Sequence, residues 1–298
     1  MAISSALLKG GIKLFGKIPF KLRSSIGGLL GTIAGSIPFR EQRLASEQLR
    51  FFLADKNPAR TTRRVFAHIG SVAGECFNLN EVLKDPSQFI YCEDESLIQH
   101  YIESDKATVA LTAHLGNWEL LAAYMCLLGV PVVTIARAAR KAVLHEFLRD
   151  KRESYGVSTI WRGGISAQKE IVRALESGKT VAALIDQDTY VSGQPSEFFS
   201  HFVQTPSALV ELAKRSNANL VTAFNYRDED GRYRVEVKEL NTELSVSEII
   251  DLYNQRLEEV IRKAPEQWVW FHKRWRSLPS GERLSSTEYM EFLKGEAA

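Results

Sequence analysis

The chain contains little cysteine: Cys76, Cys92 and Cys126 are the only three among its 298 residues. Their spacing matches neither a zinc-ligand pattern nor a disulfide framework. This argues against a secreted, disulfide-stapled fold and indicates a reducing compartment. Internal repeats and low-complexity segments are missing too, which argues against a repeat or fibrous architecture.

Acidic residues are absent from the first 40 positions, which carry the basic residues Lys9, Lys13, Lys17, Lys21, Arg23 and Arg40. The four lysines fall four residues apart, so a helix would carry them on one slowly drifting stripe beside an apolar face. Pro19 is expected to kink or end this helix before Lys21. Residues 1–40 are therefore predicted to be a basic amphipathic segment that associates with an anionic membrane surface. The alternative is an amphipathic helix packed on its own domain, with solvated lysines.

The sequence lacks an apolar run long enough to cross a membrane. The uncharged stretch from Ser24 to Phe39 is shorter than the ~20 residues that a spanning helix needs, and it is rich in glycine. A secretory signal is disfavoured because Lys9 and Lys13 interrupt the apolar core that such a signal requires. The formal net charge of +2 is too small to indicate a nucleic-acid partner, and none is expected.

Strand and helix patterns alternate in the second part of the chain. Strands are predicted at 108–113, 131–135, 157–160, 180–185, 220–226 and 233–240, with helices in most of the intervals between them. This alternation predicts an α/β fold, with a mostly parallel sheet flanked by helices. Residues 41–298 are expected to form one domain that begins with helices over 40–83 and continues through an irregular acidic linker over 85–105.

The segment from Ala113 to Glu119 carries the most informative candidate chemistry. His114 follows a predicted buried strand, and ligands of open α/β sheets bind outside the carboxyl ends of the strands. An imidazole there can take a proton from an alcohol, and the Glu119 carboxylate can fix its tautomer. On a continuous helix the two residues would lie roughly 140° apart, so they can meet only if the intervening residues turn the chain back. The alternative is a histidine at a helix cap and a glutamate in the first turn of that helix.

Further candidates follow other predicted strands. Asp186 and Asp188 come after strand 180–185, at the edge predicted for His114, where acids can orient a base, bind a metal or cap a loop. Arg137 follows strand 131–135, and its guanidinium suits a phosphate or a carboxylate. The run from Lys141 to Arg152 fits a solvated helix face for most of its members. The remaining basic residues of this region are Arg140, Lys141, Arg149, Lys151, Arg152 and Arg162.

A block at residues 265–276 combines three tryptophans with a cluster of basic residues. Such a block fits an interfacial anchor or a phosphate-binding rim. It fits equally well a segment that packs against the domain while its basic head groups stay in water.

Together, residues 114–119, Asp186-Gln187-Asp188 and residues 265–276 resemble the lysophospholipid acyltransferase superfamily, and within it the late acyltransferases of lipid A biosynthesis. The resemblance covers roughly Ile37 to Leu278 and rests on three blocks in the right order. It implies that His114 is the base that activates an acceptor hydroxyl for attack on an acyl thioester, with Glu119 as its partner. It also implies that Arg152 and Asp186 position the acceptor or the donor phosphate.

The resemblance implies an acyl carrier protein or acyl-CoA donor and a glycolipid acceptor, at the cytoplasmic face of a bacterial inner membrane. No cofactor or metal is expected. The Pro-Glu-Gly block of the glycerol-phosphate branch is absent, which argues against simple glycerophosphate as acceptor. Gly116 and Asn117 are expected to contact the substrate, with backbone donors near Gly116 stabilising the tetrahedral oxyanion. Another membrane lipid or mannoside, acylated from acyl-CoA, is the neighbouring possibility.

Two other classes of function stay open at this stage. A metal-dependent hydrolase would use the candidate ligands His114, Glu119, Asp186, Asp188 and His201, although their spacing matches no established metal motif. A peripheral membrane protein without catalysis would use the basic front and the aromatic block. Activity that a chelator removes would favour the hydrolase, and a fully functional His114→Ala variant would favour the non-catalytic protein.

Overall fold

The computed structural model describes residues 10–12, 14–104, 106–139, 141–163, 165–189, 191 and 193–295. Its strands are β1 (Ile90–Cys92), β2 (Thr108–Thr112), β3 (Val132–Ala136), β4 (Ser158–Trp161), β5 (Thr180–Leu184), β6 (Gly193–Phe198), β7 (His201–Pro206), β8 (Asn219–Arg227) and β9 (Tyr233–Glu239). Seven of them form one sheet in the order β1-β9-β8-β2-β5-β3-β4. All neighbours in this sheet are parallel except β8 and β9, and β6 and β7 form a separate antiparallel hairpin.

Helices cover both faces of the sheet. They are α1 (Phe20–Ser36), α2 (Arg40–Phe52), α3 (Pro58–Glu75), α4 (Asn80–Lys84), α5 (Glu95–Glu103), α6 (Trp118–Leu127), α7 (Ala142–Ser154), α8 (Ile165–Glu176), α9 (Ala208–Arg215), α10 (Val246–Lys263) and α11 (Ser286–Lys294). Short 3₁₀ turns lie at Pro86–Gln88 and Pro265–Gln267. The predicted mostly parallel α/β sheet is thereby confirmed.

The strands separate two apolar cores because successive side chains point to opposite faces. On β2, Val109 and Leu111 are buried in a core that includes Ile250 of α10, whereas Ala110 belongs to a second core that includes Leu120 of α6. His114 follows in the register of Ala110, which places it on the α6 side of the sheet.

Two stretches differ from the prediction. The interval 85–105 is not an irregular linker, because it contains β1 and α5. Strand β1 is only three residues long and pairs with β9 at the sheet edge, so it leaves little periodic signal in the sequence. The β6–β7 hairpin was not predicted, because Gly193 and Pro195 interrupt the alternation that indicates a strand.

Helix α1 packs against α3 through glycine. Gly27 and Gly31 of α1 lie against Gly70, and added Cβ atoms would meet backbone oxygens of α3 at 2.1 and 2.0 Å. The opposite side of α1 is apolar and more than half exposed, with Leu22, Leu29, Leu30 and Ile33. Pro19 directly precedes the helix, as the predicted break requires. Lys9 and Lys13 of the predicted lysine stripe lie outside the described residues.

None of the helices in the described ranges is long and apolar enough to span a bilayer. The predicted association of residues 1–40 with a membrane surface stays a prediction at this point.

The contact between α1 and α3 predicts that adding a methyl group lowers stability at a glycine inside the contact but not at a glycine outside it. Gly31→Ala would place its Cβ against the Phe66 carbonyl oxygen, so we expect it to lower the free energy of unfolding by about 1–3 kcal/mol through overpacking. Gly11→Ala, where a Cβ meets open space, is the matched control and should be neutral or mildly stabilising. Urea unfolding of the two variants measures the difference, and equal stabilities would contradict the packing.

His68 connects α3 to the turn that follows β2. Its Nε2–H donates to the Gly116 carbonyl oxygen at 3.1 Å, because a carbonyl oxygen can only accept. Burial disfavours the charged ring and lowers the pKa of His68 to about 4. The ring is therefore neutral in the folded protein at pH values where it takes up a proton in the unfolded chain.

This difference predicts a pH dependence of stability. The unfolded chain gains a proton on His68 below about pH 6.5, so folding stability should fall from there to about pH 4, by at most roughly 3 kcal/mol. His68→Gln keeps an N–H donor but does not titrate, so its free energy of unfolding should fall less over that interval. Chemical unfolding at several pH values compares the two proteins, and parallel curves would contradict the assignment.

Candidate functional site

His114 and Asp186 meet at the carboxyl edge of the sheet. The register pairs Thr112 of β2 with Leu184 of β5, so the residues two positions further on also lie side by side. The His114 backbone N–H donates to Asp186 Oδ2 at 2.9 Å, and its Nδ1–H donates to Oδ1 at 2.8 Å. Because a carboxylate only accepts, the neutral ring carries its proton on Nδ1 and Nε2 is left as the basic nitrogen. The His114 side chain is 27% exposed, whereas that of Asp186 is 1% exposed.

The Asp186 carboxylate is buried but well supplied with donors. Besides the two hydrogen bonds from His114, it accepts one from the indole Nε1–H of Trp268 at 2.9 Å. Burial alone would raise the pKa of Asp186, but the interactions with His114 and Trp268 outweigh burial and lower it. A negative charge is thus maintained under the imidazole, where it holds the ring and can stabilise an imidazolium.

The turn after His114 is shaped by backbone contacts. Leu115 forms an antiparallel bridge with Trp268, and the Gly116 N–H donates to the Gln267 carbonyl at 2.9 Å. Gly116 has φ of +59°, and a Cβ there would lie 2.1 Å from the Asn225 carbonyl oxygen, so only glycine fits this turn.

Asn117 is fully buried and belongs to the same scaffold. Its side-chain oxygen accepts the Leu120 N–H at 2.9 Å as the N-cap of α6, and its amide donates to the Glu75 carboxylate at 2.8 Å. The substrate contacts predicted for Gly116 and Asn117 are therefore replaced by a role in shaping the turn. The Gly116 amide itself is committed to Gln267, so it is not free to be one of the oxyanion donors expected near this residue.

Glu119 is not the carboxylate that orients His114. It lies in the first turn of α6 and forms a two-pronged ion pair with Arg152 of α7, with distances of 2.6 and 2.9 Å. Burial opposes the charge of Arg152, but Glu119 outweighs burial and raises the pKa of the guanidinium. The prediction that Glu119 is the direct partner of His114 is thus corrected to Asp186, while Glu119 and Arg152 form a second charged pair at the pocket.

The two remaining candidates, Asp188 and His201, lie in different places. Asp188 is buried, accepts hydrogen bonds from Ser277 at 2.8 and 2.9 Å, and pairs with Arg283 at 2.8 Å. His201 packs on Phe52, and its ring Nδ1 lies 2.7 Å from the Phe199 carbonyl oxygen.

No group of three or more His, Cys, Asp or Glu side chains able to hold a metal ion occurs within the described part of the chain.

A pocket of about 930 Å³ opens beside His114 and runs along the α6 face of the sheet. Its mouth carries Trp118 and polar side chains that include Glu119, Arg137 and Arg152. Its interior is lined by small and apolar residues from the strands and helices: Ala110, Ala182, Val221, Ala223, Leu121, Ala122, Met125, Ile98 and Tyr101. The pocket thus joins a charged mouth to a mainly apolar slot.

His272 is a pocket residue that the sequence analysis did not single out. Burial lowers the pKa of His272 to about 4, so its ring is neutral at physiological pH. Its Nδ1 is buried and has no hydrogen-bond partner among the described residues, and the residue lines the same pocket as His114. The only signal for it was its place in block 265–276, which passes over the end of β2 through the bridge between Leu115 and Trp268.

Comparison with known proteins gives concordant relatives. The family model described as bacterial lipid A biosynthesis acyltransferase matches residues 3–277. A lipid A biosynthesis acyltransferase of Haemophilus influenzae is 23% identical over 277 residues, which cover 90% of this chain and 86% of that protein. A phosphatidylinositol mannoside acyltransferase of Mycolicibacterium smegmatis is 23% identical over 185 residues, or 61% of each protein.

Among solved structures, the chain is similar to the 1-acyl-sn-glycerophosphate acyltransferase of Thermotoga maritima, with a TM-score of 0.38 and 10% identity over 82% of this chain and 99% of that one. The family match decides between the classes of function left open by the sequence, because it spans nearly the whole chain. The protein is an acyltransferase, and it belongs to the bacterial lipid A biosynthesis acyltransferase family.

Proposed function

We propose that this protein transfers a fatty acyl chain from acyl carrier protein to a hydroxyl of a lipid A precursor, with His114 as the general base. The observation that carries the proposal is the His114–Asp186 pair at the mouth of a pocket that continues as an apolar slot. The family membership supports the reaction class and the lipid pathway.

The slot suits an acyl chain. Thr108, Ala110 and Thr112 of β2 all face it, and these three residues span roughly 13 Å of strand. Ala110 and Ala182 have small side chains, which leave space between the sheet and α6. An extended chain lying in this space would bring its thioester carbon to the mouth, beside His114.

The reaction needs no acyl-enzyme. His114 Nε2 removes the proton of the acceptor hydroxyl while its oxygen attacks the thioester carbonyl carbon, which forms the new C–O bond and an oxyanion. When the oxyanion collapses, the C–S bond breaks, and the departing thiolate takes the proton back from His114. Asp186 stabilises the intermediate imidazolium. Since the Gly116 amide is committed elsewhere, we assign the oxyanion contact to ring N–H groups of the pocket wall, from His272 and Trp118.

The exposed face of α1 supports association with a membrane surface, and we propose that this surface is the cytoplasmic side of the inner membrane. Leu29, Leu30 and Ile33 form an apolar surface on this helix, and the exposed cations Lys17 and Lys21 lie near its N-terminus. An apolar face with basic residues at one end binds anionic lipid surfaces. We propose that residues 1–40 hold the enzyme on the membrane that contains its acceptor.

The mannoside relative favours a second candidate acceptor, another membrane glycolipid, for which we propose acyl-CoA as the donor. Parallel assays separate the candidates: one acceptor is offered to both donors, and one donor is offered a lipid A precursor and a mannoside. The higher kcat/KM identifies the substrate pair.

The proposed chemistry predicts a large loss on removing either member of the dyad. In transfer of a labelled acyl chain from acyl carrier protein to a tetra-acylated lipid A precursor, His114→Ala and Asp186→Asn should each lower kcat by roughly 10²–10⁴-fold. His100→Ala and Asp150→Asn, which change exposed residues outside the pocket, are matched controls and should retain wild-type rates.

Two outcomes would contradict the mechanism. An acyl group trapped covalently on the protein would exclude direct transfer. A His114→Ala variant that folds and retains full activity would exclude the base.

The slot predicts that its small residues set the length of the acyl chain that the enzyme prefers. Ala182→Leu would fill the slot and should shift the preferred donor to a shorter chain. Excluding three methylenes lowers kcat/KM for the original donor roughly 50-fold. A donor with a four-carbon chain is the internal control and should react at the wild-type rate. An unchanged chain-length profile would place the acyl chain elsewhere.

A further inference from the structure

A fully buried carboxylate lies behind the turn of residues 115–118, which follows His114. Glu75 is the last residue of α3, and its side chain is 0% exposed. Burying a charge is costly unless the charge is paired and hydrogen-bonded. Four described residues donate to this carboxylate: Ser24 of α1 at 2.6 Å, Asn117 and Tyr233 at 2.8 Å each, and Arg227 through an ion pair. Glu75 therefore joins α1, α3, the end of β8 and the start of β9 to the turn.

The first connection from Glu75 to the turn is the side chain of Asn117. This side chain is fully buried, with its N–H₂ group toward Glu75 and its oxygen toward the Leu120 N–H. A carboxylate can only accept and a backbone N–H can only donate, so a flipped amide would place like groups against each other at both ends. Glu75 thus fixes the orientation of the residue three positions after His114.

The second connection runs through Arg227 and Gln267. The Arg227 backbone N–H and carbonyl pair with the side-chain amide of Gln267 at 2.6 and 2.8 Å. The Gln267 carbonyl in turn accepts the Gly116 N–H at 2.9 Å. The ion pair with Glu75 therefore steadies the strand end that holds Gln267, and Gln267 holds the glycine two positions after His114.

We propose that Glu75 is a positioning residue for acyl transfer, which holds the turn of residues 115–118 so that His114 is correctly placed at the pocket. The proposal rests on the proposed role of His114 as the base. Asp186 fixes the tautomer of the ring, while the turn fixes the backbone from which the ring projects. Reaction rates are sensitive to this placement, since a displacement of about 1 Å can cost on the order of 10²-fold. Stability alone gives little reason for the carboxylate, because apolar residues of similar volume often replace a buried ion pair without loss.

The donors around Glu75 predict the effect of an amide in its place. Arg227 and Asn117 donate to different carboxylate oxygens. Arg227 can only donate, so in Glu75→Gln the new side chain would turn its oxygen to the guanidinium and its N–H₂ to Asn117. Two N–H₂ groups would then face each other and displace the turn. We expect kcat to fall about 10–100-fold, with KM for both substrates within about twofold of wild type.

A double substitution tests this orientation. Glu75→Gln combined with Asn117→Asp exchanges donor and acceptor, because the introduced N–H₂ meets a carboxylate that still accepts the Leu120 N–H. We expect the double variant to recover most of the kcat that Glu75→Gln loses. Asn117→Asp alone sets two carboxylates against each other and should lose at least about tenfold in kcat.

Two controls separate positioning from stability. Ser24→Ala removes a different donor from the same carboxylate, on the side of α1, so it should lower the urea midpoint of unfolding and keep the wild-type kcat. Glu176→Gln changes the exposed last residue of α8 and should alter neither value. If Glu75→Gln does not fold, Asn117→Ser takes its place: it keeps a hydroxyl for the helix cap, loses the contact with Glu75 and should show the same loss of kcat.

Three outcomes would overturn the positioning role. The first is a wild-type kcat in Glu75→Gln or Asn117→Ser. The second is a double variant that folds and recovers nothing. The third is a kcat in Ser24→Ala that falls as far as in these variants, because activity would then follow stability alone.

Hydrogen exchange separates this proposal from the proposed function, since it needs no substrate. In full-length Glu75→Gln the amides of residues 115–120 should exchange about tenfold faster than in wild type, and the double variant should restore the slow exchange. If wild type transfers no acyl chain to a lipid A precursor but this pattern holds, Glu75 holds the turn and the substrate assignment falls. If transfer succeeds and exchange in Glu75→Gln equals wild type, the positioning role falls and the proposed function stands.

Discussion

The buried carboxylate of Asp186 is the interaction on which the rest of the site depends. A charge so completely removed from water is tolerated only with strong hydrogen bonds, and three donors supply them: the His114 amide, its ring and the Trp268 indole. These donors come from the end of β2 and from the segment near the C-terminus, while Asp186 itself follows β5. One carboxylate therefore joins three distant parts of the chain and orients the ring that faces the pocket.

Glu119 and Arg152 form a second charged pair at the pocket mouth, separate from the pair of His114 and Asp186. Glu119 and Arg152 are each 16% exposed and bind each other with two hydrogen bonds, which links α6 to α7 across the opening. His114 uses a different acid and keeps one nitrogen free for chemistry. The motif that appears in the sequence as a single histidine and acid pair thus contributes to two separate pairs in space.

The sequence predicted the parallel core well because its signals are local. The bounds of β2 and β5 agree with the expected ranges to within one residue. The hydrogen-bond partner of His114 was harder to predict. Glu119 is close to it in the chain, whereas Asp186 is brought close only by the register of β2 with β5. The burial of Asn117 likewise depends on Glu75, which no local pattern connects to it. His272 has no periodic context, so only the folded chain brings it to the pocket.

The glycine contact between α1 and α3 has a consequence for how the protein can vary. Adhesion of α1 to the body relies on backbone approaching backbone at Gly27, Gly31 and Gly70, and on the buried side chains of Phe20 and Arg23 in its first turn. The outward residues, such as Leu29 and Leu30, are therefore not needed to hold α1 in place. Substitutions can change the size and polarity of these residues without affecting the enzyme's interior. The outer surface of α1 can therefore adapt to a different environment while the catalytic part of the protein stays the same.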